Sequence, residues 1–208
     1  MRGERGQAYV EFLISLPLFI LMIVGMLEMG WYIRTLMNTM DAAREAARYG
    51  ADLDHVNYDY HFNHNSPYYS GDAVDCVTTT EFYTVVACLA SEQVYGFNPD
   101  NGWDDVVVTA WQIHEGVVRW KLPTCTPHLC DSSDSFSLTG NQKTQVTMSE
   151  FEWWSEGKFT PRQGFVAVEV FKLHRQILGV PPLTMFVPRD IKTRMVAIFP
   201  NPTAGSLP

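Results

Sequence analysis

The chain has 208 residues, 46% of them hydrophobic and 18% charged, with a formal net charge of −8. Of its 15 Lys/Arg and 23 Asp/Glu, residues 1–50 hold five of each, which leaves 10 basic and 18 acidic for the remainder. An acidic remainder with no basic cluster excludes nucleic-acid binding, whose affinity rests on Lys and Arg neutralising phosphates, while the length allows one or two domains with a sizeable core.

The first element is an apolar helix. Phe12 to Leu27 carries no charge over 16 residues, and with the single acid Glu28 allowed the run reaches Ile33. Those 22 residues make roughly 33 Å of helix, about one bilayer core. A secretory signal peptide would have a shorter apolar stretch followed by a small-residue cleavage site. Here the run continues into "RTLMNTMDAAREAARYGA", which keeps helical spacing. Leu36, Met40, Ala43 and Ala47 share a line, and Arg34, Asn38, Asp41, Glu45 and Arg48 fall largely elsewhere. Asp41–Arg44 and Glu45–Arg48 are i,i+3 pairs worth about 0.2–0.5 kcal/mol each. The expected helix ends near Tyr49 and breaks at Gly50. Arg2 and Arg5 before the run place that end on the cytoplasmic side. Pro17 removes one backbone hydrogen bond; it is either an ordinary kink in a membrane helix or a point where the helix yields on packing.

A carboxylate beside hydrocarbon, as at Glu11, is costly unless something uses it. The plain reading is a first-turn acid favoured by the helix dipole, worth about 0.3–1 kcal/mol. "RGERGQAYVEF", Pro17, an acid late in the apolar run (Glu28) and "AAREAARYGA" together resemble a TadE-like protein, of the tight-adherence branch of type IV pilins and pseudopilins. The resemblance covers residues 2–51. A weaker likeness covers "GFVAVEVFKLHRQILGVPPLTMFVPRDIKTRMVAIFPNP". The resemblance implies a prepilin peptidase cutting between Gly6 and Gln7, which makes residues 1–6 a leader and Glu11 the fifth mature residue. Glu11 would then pair with the terminal amine of a neighbouring subunit, setting register more than adding stability. If the leader is kept, Arg2 or Arg5 supplies the positive partner. Glu11, Phe12, Pro17 and Glu28 are the expected assembly residues.

Residues 51–208 read as an extracytoplasmic head. "TTTEFYTVVACLASEQVYGF" is a second helix with a Thr78–Glu81 capping box and Phe82, Val85, Val86 and Leu89 on its inner face. "DVVVTAWQI" and "GVVRWKL" form a hairpin across His114–Gly116. "TQVTM" is a weak short strand, "GFVAVEVFKL" an alternating one and "KTRMVAIF" the last. Asn57–Tyr69 and Cys125–Gly140 read as loops, suited to an outward face. The fold class is α+β: a long N-terminal hydrophobic helix (7–50), then a small head with a short helix packed on a mostly antiparallel sheet.

Cys76, Cys88, Cys125 and Cys130 form an even set in an exported domain, which favours two disulfides. Three pairings are open, and the local one, Cys76–Cys88 with Cys125–Cys130, closes short loops. Zinc is the rival, with His128 inside "CTPHLC", but the spacing departs from common zinc sites. His55, His61 and His64 among Asp52, Asp54 and Asp59 show no ligand spacing and read as a solvated loop. Asp100, Asp104 and Asp105 in "PDNGWDD" lack the twelve-residue calcium-loop pattern and are explained by turn chemistry. Trp153-Trp154 is either core or an interface anchor. The chain holds no G-x-S-x-G, H-E-x-x-H or phosphate-loop motif. The expectation is therefore a non-enzymatic structural subunit without cofactor or metal. It starts in the cytoplasmic membrane and ends in an extracellular filament, with itself or other pilins as partners. The alternative is a monomeric membrane-anchored binding module that presents the His/Tyr loop to a ligand.

Overall fold

A computed structural model describes residues 4–53, 82–114, 117–122, 135–146, 163–179, 181–184 and 187–201. The His55/His61/His64 group, the Asn57–Tyr69 loop, the Thr78–Glu81 capping box, Cys76, Cys125, Cys130, His128 and Trp153-Trp154 lie outside the described residues. The chain divides into two compact units, Met1–Leu36 with His174–Ile191 and Met37–Leu173 with Lys192–Pro208.

Helix α1, Glu4–Asp52, is continuous for 49 residues with Pro17 inside it. Gly50 does not end it, contrary to the sequence expectation. In the second unit the buried line of α1 is Thr39, Ala42, Ala43, Ala46, Ala47 and Gly50; Met40 there and Leu36 of the first unit, both expected on that line, are only half-buried. The reason is close approach. A Cβ on Gly50 would sit 3.0 Å from Val86 Cγ2 and 3.3 Å from Val166 Cγ1, so only small residues fit this stripe. Beyond Gly50, Asn201 is fully buried and donates to the carbonyls of Gly50 and Leu53, both at 3.3 Å. It thereby satisfies acceptors that a helix end leaves open.

Helix α2, Phe82–Gln93, buries Phe82, Tyr83, Val86, Ala87 and Ala90. Val85 and Leu89, expected inside, are half-buried, so the inner face is rotated from the sequence reading. Its C-terminal end is tied to α1 through Asn38, which donates to Gln93 O at 3.0 Å and accepts from Tyr95 N at 2.7 Å.

The strands are β1 (Asp105–His114), β2 (Val117–Leu122), β3 (Phe136–Ser137), β4 (Gln163–Arg175) and β5 (Asp190–Asn201). Their order is β2-β1-β4-β5, and the described pairings of β1 are all antiparallel. One edge of β1 pairs with β4 from Asp105↔Phe171 to Ile113↔Gln163. Its other edge is shared, with β2 along Ala110–His114 and β3 at Val107 and Val108. The β1–β2 hairpin and the two long strands follow the sequence expectation. β3 does not, because it falls within a stretch read as loop. Residues 144–146, read as strand, are irregular: Gln145 N and the Thr144 hydroxyl donate to the carboxylate of Glu169, so this segment lies over a sheet face rather than extending an edge.

Both faces of the sheet are covered. Val106, Val108, Ala110, Val166, Val168 and Val170 join the α1 stripe and α2 in the main core. Trp111, Phe165, Ala167 and Val146 form a smaller cluster with half-buried Ile198. Burial on two faces explains why the stretch Phe165–Phe171 of β4 is apolar at consecutive rather than alternate positions. Glu169, fully buried, is the exception, and Arg194 Nη2 pairs with it at 2.7 Å.

Turn chemistry accounts for "NPDNGWDD". Asn98 caps a 3-10 turn at Pro99–Asn101, and Gly102 follows at φ 71°, a left-handed conformation that favours glycine. Asp105 is fully buried and accepts from Val106 N at 2.8 Å, Thr139 N at 3.0 Å, Ser137 Oγ at 2.6 Å and Gln142 N at 2.7 Å. It therefore fastens 137–142 to β1. Asp105→Ala is expected to cost about 2–3 kcal/mol by orphaning these donors, and Asp105→Asn less, in urea denaturation of the detergent-solubilised chain.

Candidate assembly and membrane-contact surface

The first half of α1 is an apolar surface. Its most apolar 18-residue window has a mean hydropathy of 2.4, and none of that window is buried. Phe12, Ile14, Leu18, Phe19 and Ile23 are each more than half exposed, as is Tyr9 before them. The sequence accounts for this directly. Leu, Met, Ile and Phe occur all round the helix rather than on one face, so no single neighbour in the chain can cover them, and the pattern is that of a helix solvated by lipid or by other helices.

The expected site residues fall at different places on this helix. Gly6 and Gln7 lie in its first turns. Glu11, Phe12 and Pro17 are exposed on the apolar half. Glu28 is different, being 9% exposed. Its carboxylate accepts from Ile177 N at 3.3 Å and from Leu178 N. Two further contacts extend this line at i+4 and i+7: the Tyr32 ring meets the His174 ring edge-on at 5.4 Å, and Thr35 Oγ1 lies 3.1 Å from His174 Nδ1. Thr35 Oγ1 also lies 3.0 Å from Trp31 O. Within this unit, Glu28, Tyr32 and Thr35 thus hold the segment that leaves β4.

That segment is short and braced. Gln176 N donates to Arg189 O at 2.9 Å, and Arg175 pairs with Asp190 at 3.1 Å in the open, a contact worth at most about 1 kcal/mol. Gly179 turns the chain at φ 51° before the single-turn helix α3, Pro181–Thr184. His174 and the Ile177–Leu178 amides were not found by sequence reasoning. The available signal was Glu28 itself, because an acid in an apolar run implies a donor, but the sequence does not say which.

Of the four cysteines only Cys88 is among the described residues, buried on α2. Asp104, weighed as a calcium ligand, faces Lys172 at 2.6 Å. Among the described residues no group of three or more His, Cys, Asp or Glu is placed to hold a metal ion.

Comparison with known protein families matches residues 6–48 to the TadE-like protein family. Among curated proteins and solved structures, no match was found. The matched residues span the exposed apolar half of α1, Glu28 and most of the small-residue stripe. The chain thus carries the TadE-like signature in its N-terminal helix, as its sequence resemblance indicated.

Proposed function

We propose that this chain is a pilin-like structural subunit of a Tad-type filament. Its α1 first inserts in the cytoplasmic membrane with the head outside, then packs with copies of itself or with other pilins. The observation that carries the reading is the uncharged run from Phe12 to Leu27, none of which is buried. Fully burying one Leu- or Phe-sized side chain is worth about 1.5–3 kcal/mol, so a surface of this kind is covered in every stable state. Lipid covers it in the membrane, and neighbouring helices replace lipid in a filament core. Contacts between different patches of identical subunits propagate as an open helical array. Glu11 serves as the registering charge, paired with the terminal amine of a neighbouring subunit, that of its Gln7 after removal of residues 1–6 by a prepilin peptidase. Two disulfides among Cys76, Cys88, Cys125 and Cys130 would suit the exported head.

Mass spectrometry of the N-terminus in filaments sheared from cells tests this. The expected result is a peptide beginning at Gln7 in the high-molecular-weight fraction. An intact Met1 there would keep the filament and discard the peptidase step. The chain found only in membranes, as a monomer, would favour the anchored binding module instead. Glu11→Ala is expected to lower filament yield severalfold while leaving the head's unfolding midpoint unchanged; normal filament yield would remove Glu11 from assembly.

A further inference from the structure

We infer that residues 175–179 and 187–190 form a membrane-interface foot, their apolar tips seated at the headgroup–acyl boundary of the outer leaflet. This rests on the reading that α1 spans the membrane, and it adds a second element of the chain to the lipid contact. The argument concerns height along one helix. Tyr9 and Trp31 are both substantially exposed and stand 22 residues apart, about 33 Å of helix. Aromatic residues at that separation match the two belts of a bilayer whose hydrocarbon is about 30 Å thick. Glu28 and Tyr32 lie within a turn of Trp31, at the outer belt.

Glu28 takes the amides of Ile177 and Leu178, so those residues are held at the same height. A chain segment at the boundary can expose apolar side chains without loss only if lipid takes them. Ile177 is 55% exposed, Leu178 47% and Val187 39%. Arg189 flanks them, exposed, as does Arg175, whose Nε is shared with Asp190 at 3.1 Å; a long cationic side chain such as Arg189 at this level reaches the phosphates while its stem lies on apolar surface. The occupant is phospholipid, since Glu28 fastens this surface to the helix that spans the bilayer, at the level of its outer belt, and Arg189 stands at its border.

The test uses the full chain in phosphatidylcholine/phosphatidylglycerol vesicles, with a diazirine-bearing leucine analogue in place of Ile20, Leu178 or Tyr49, one at a time. Lipid adducts are expected at 20 and 178, and at most a tenth as many at 49. Adducts at 20 with none at 178 would overturn the foot and leave the spanning helix standing. None at 20 would overturn both. Equal yields at 49 and 178 would remove any special height for the loop. In a Glu28→Leu background the yield at 178 is expected to fall at least fivefold with that at 20 unchanged; an unchanged yield at 178 would overturn Glu28 as the residue holding the foot.

Discussion

Lys172→Met is expected to destabilise the head by about 3–5 kcal/mol, the usual cost of removing one partner from a buried ion pair. For a unit of this size that is a fall of roughly 6–20 °C in the unfolding midpoint. Lys172 Nζ lies 2.6 Å from Asp104 Oδ2 and 2.5 Å from Gly96 O, and the Asp104 side chain is fully buried. Without the ammonium, the carboxylate keeps only neutral donors: Leu173 N at 2.7 Å and Asn98 N at 3.0 Å. Those two amides place the expected cost toward the lower end of the range. Asp104→Asn makes the complementary fault, leaving a buried cation with one carbonyl. The double variant Lys172→Met with Asp104→Asn is expected to cost at least 1 kcal/mol less than the sum of the two single changes, because neither charge is then stranded. Thermal unfolding followed by circular dichroism reads all four proteins. A single-variant loss below 1 kcal/mol would mean that Asp104 is adequately held by amides alone.

What could be read from the sequence divides by the range of the interaction responsible. α1 is legible because a run of 16 uncharged residues followed by Ala-rich helical spacing admits little else. The β1–β2 hairpin and β4 are legible because β-branched residues repeat between turn signals. Of the line that spacing picks out on α1, Ala43 and Ala47 are buried, whereas the larger Leu36 and Met40 are only half-buried. Tertiary approach is the reason: with Val86 and Val166 so near Gly50, small size rather than hydrophobicity decides what faces inward. β3 has two residues, too few to show a period. The partners of Glu28 lie 149 and 150 residues away and are backbone amides, which carry no sequence identity at all. Asp104 and Lys172 are separated by 68 residues, and nothing in "PDNGWDD" distinguishes a turn aspartate from one that anchors a lysine of β4.

The two halves of α1 answer to different environments, and paired substitutions are expected to separate them. In Gly50→Val the new Cβ lies 3.0 Å and 3.3 Å from two core valines, one on α2 and one on β4, and neither contact is to a freely moving chain end. Overpacking of this kind costs about 1–3 kcal/mol. Gly50→Ala meets the same contacts with no further methyls, and its gain of up to about 1 kcal/mol in helix propensity brings it close to neutral. Ile20→Lys changes a side chain that is 53% exposed. It places an ammonium near the centre of the span, at about 2.5–3.5 kcal/mol, so membrane insertion and filament yield are expected to fall roughly a hundredfold with the head's urea midpoint unmoved. Gly50→Val should do the reverse, lowering the midpoint while the chain still fractionates with membranes. If Ile20→Lys lowered the midpoint as much as Gly50→Val does, the apolar half of α1 would be part of the head's own core, and lipid or neighbouring helices would no longer be needed to cover it.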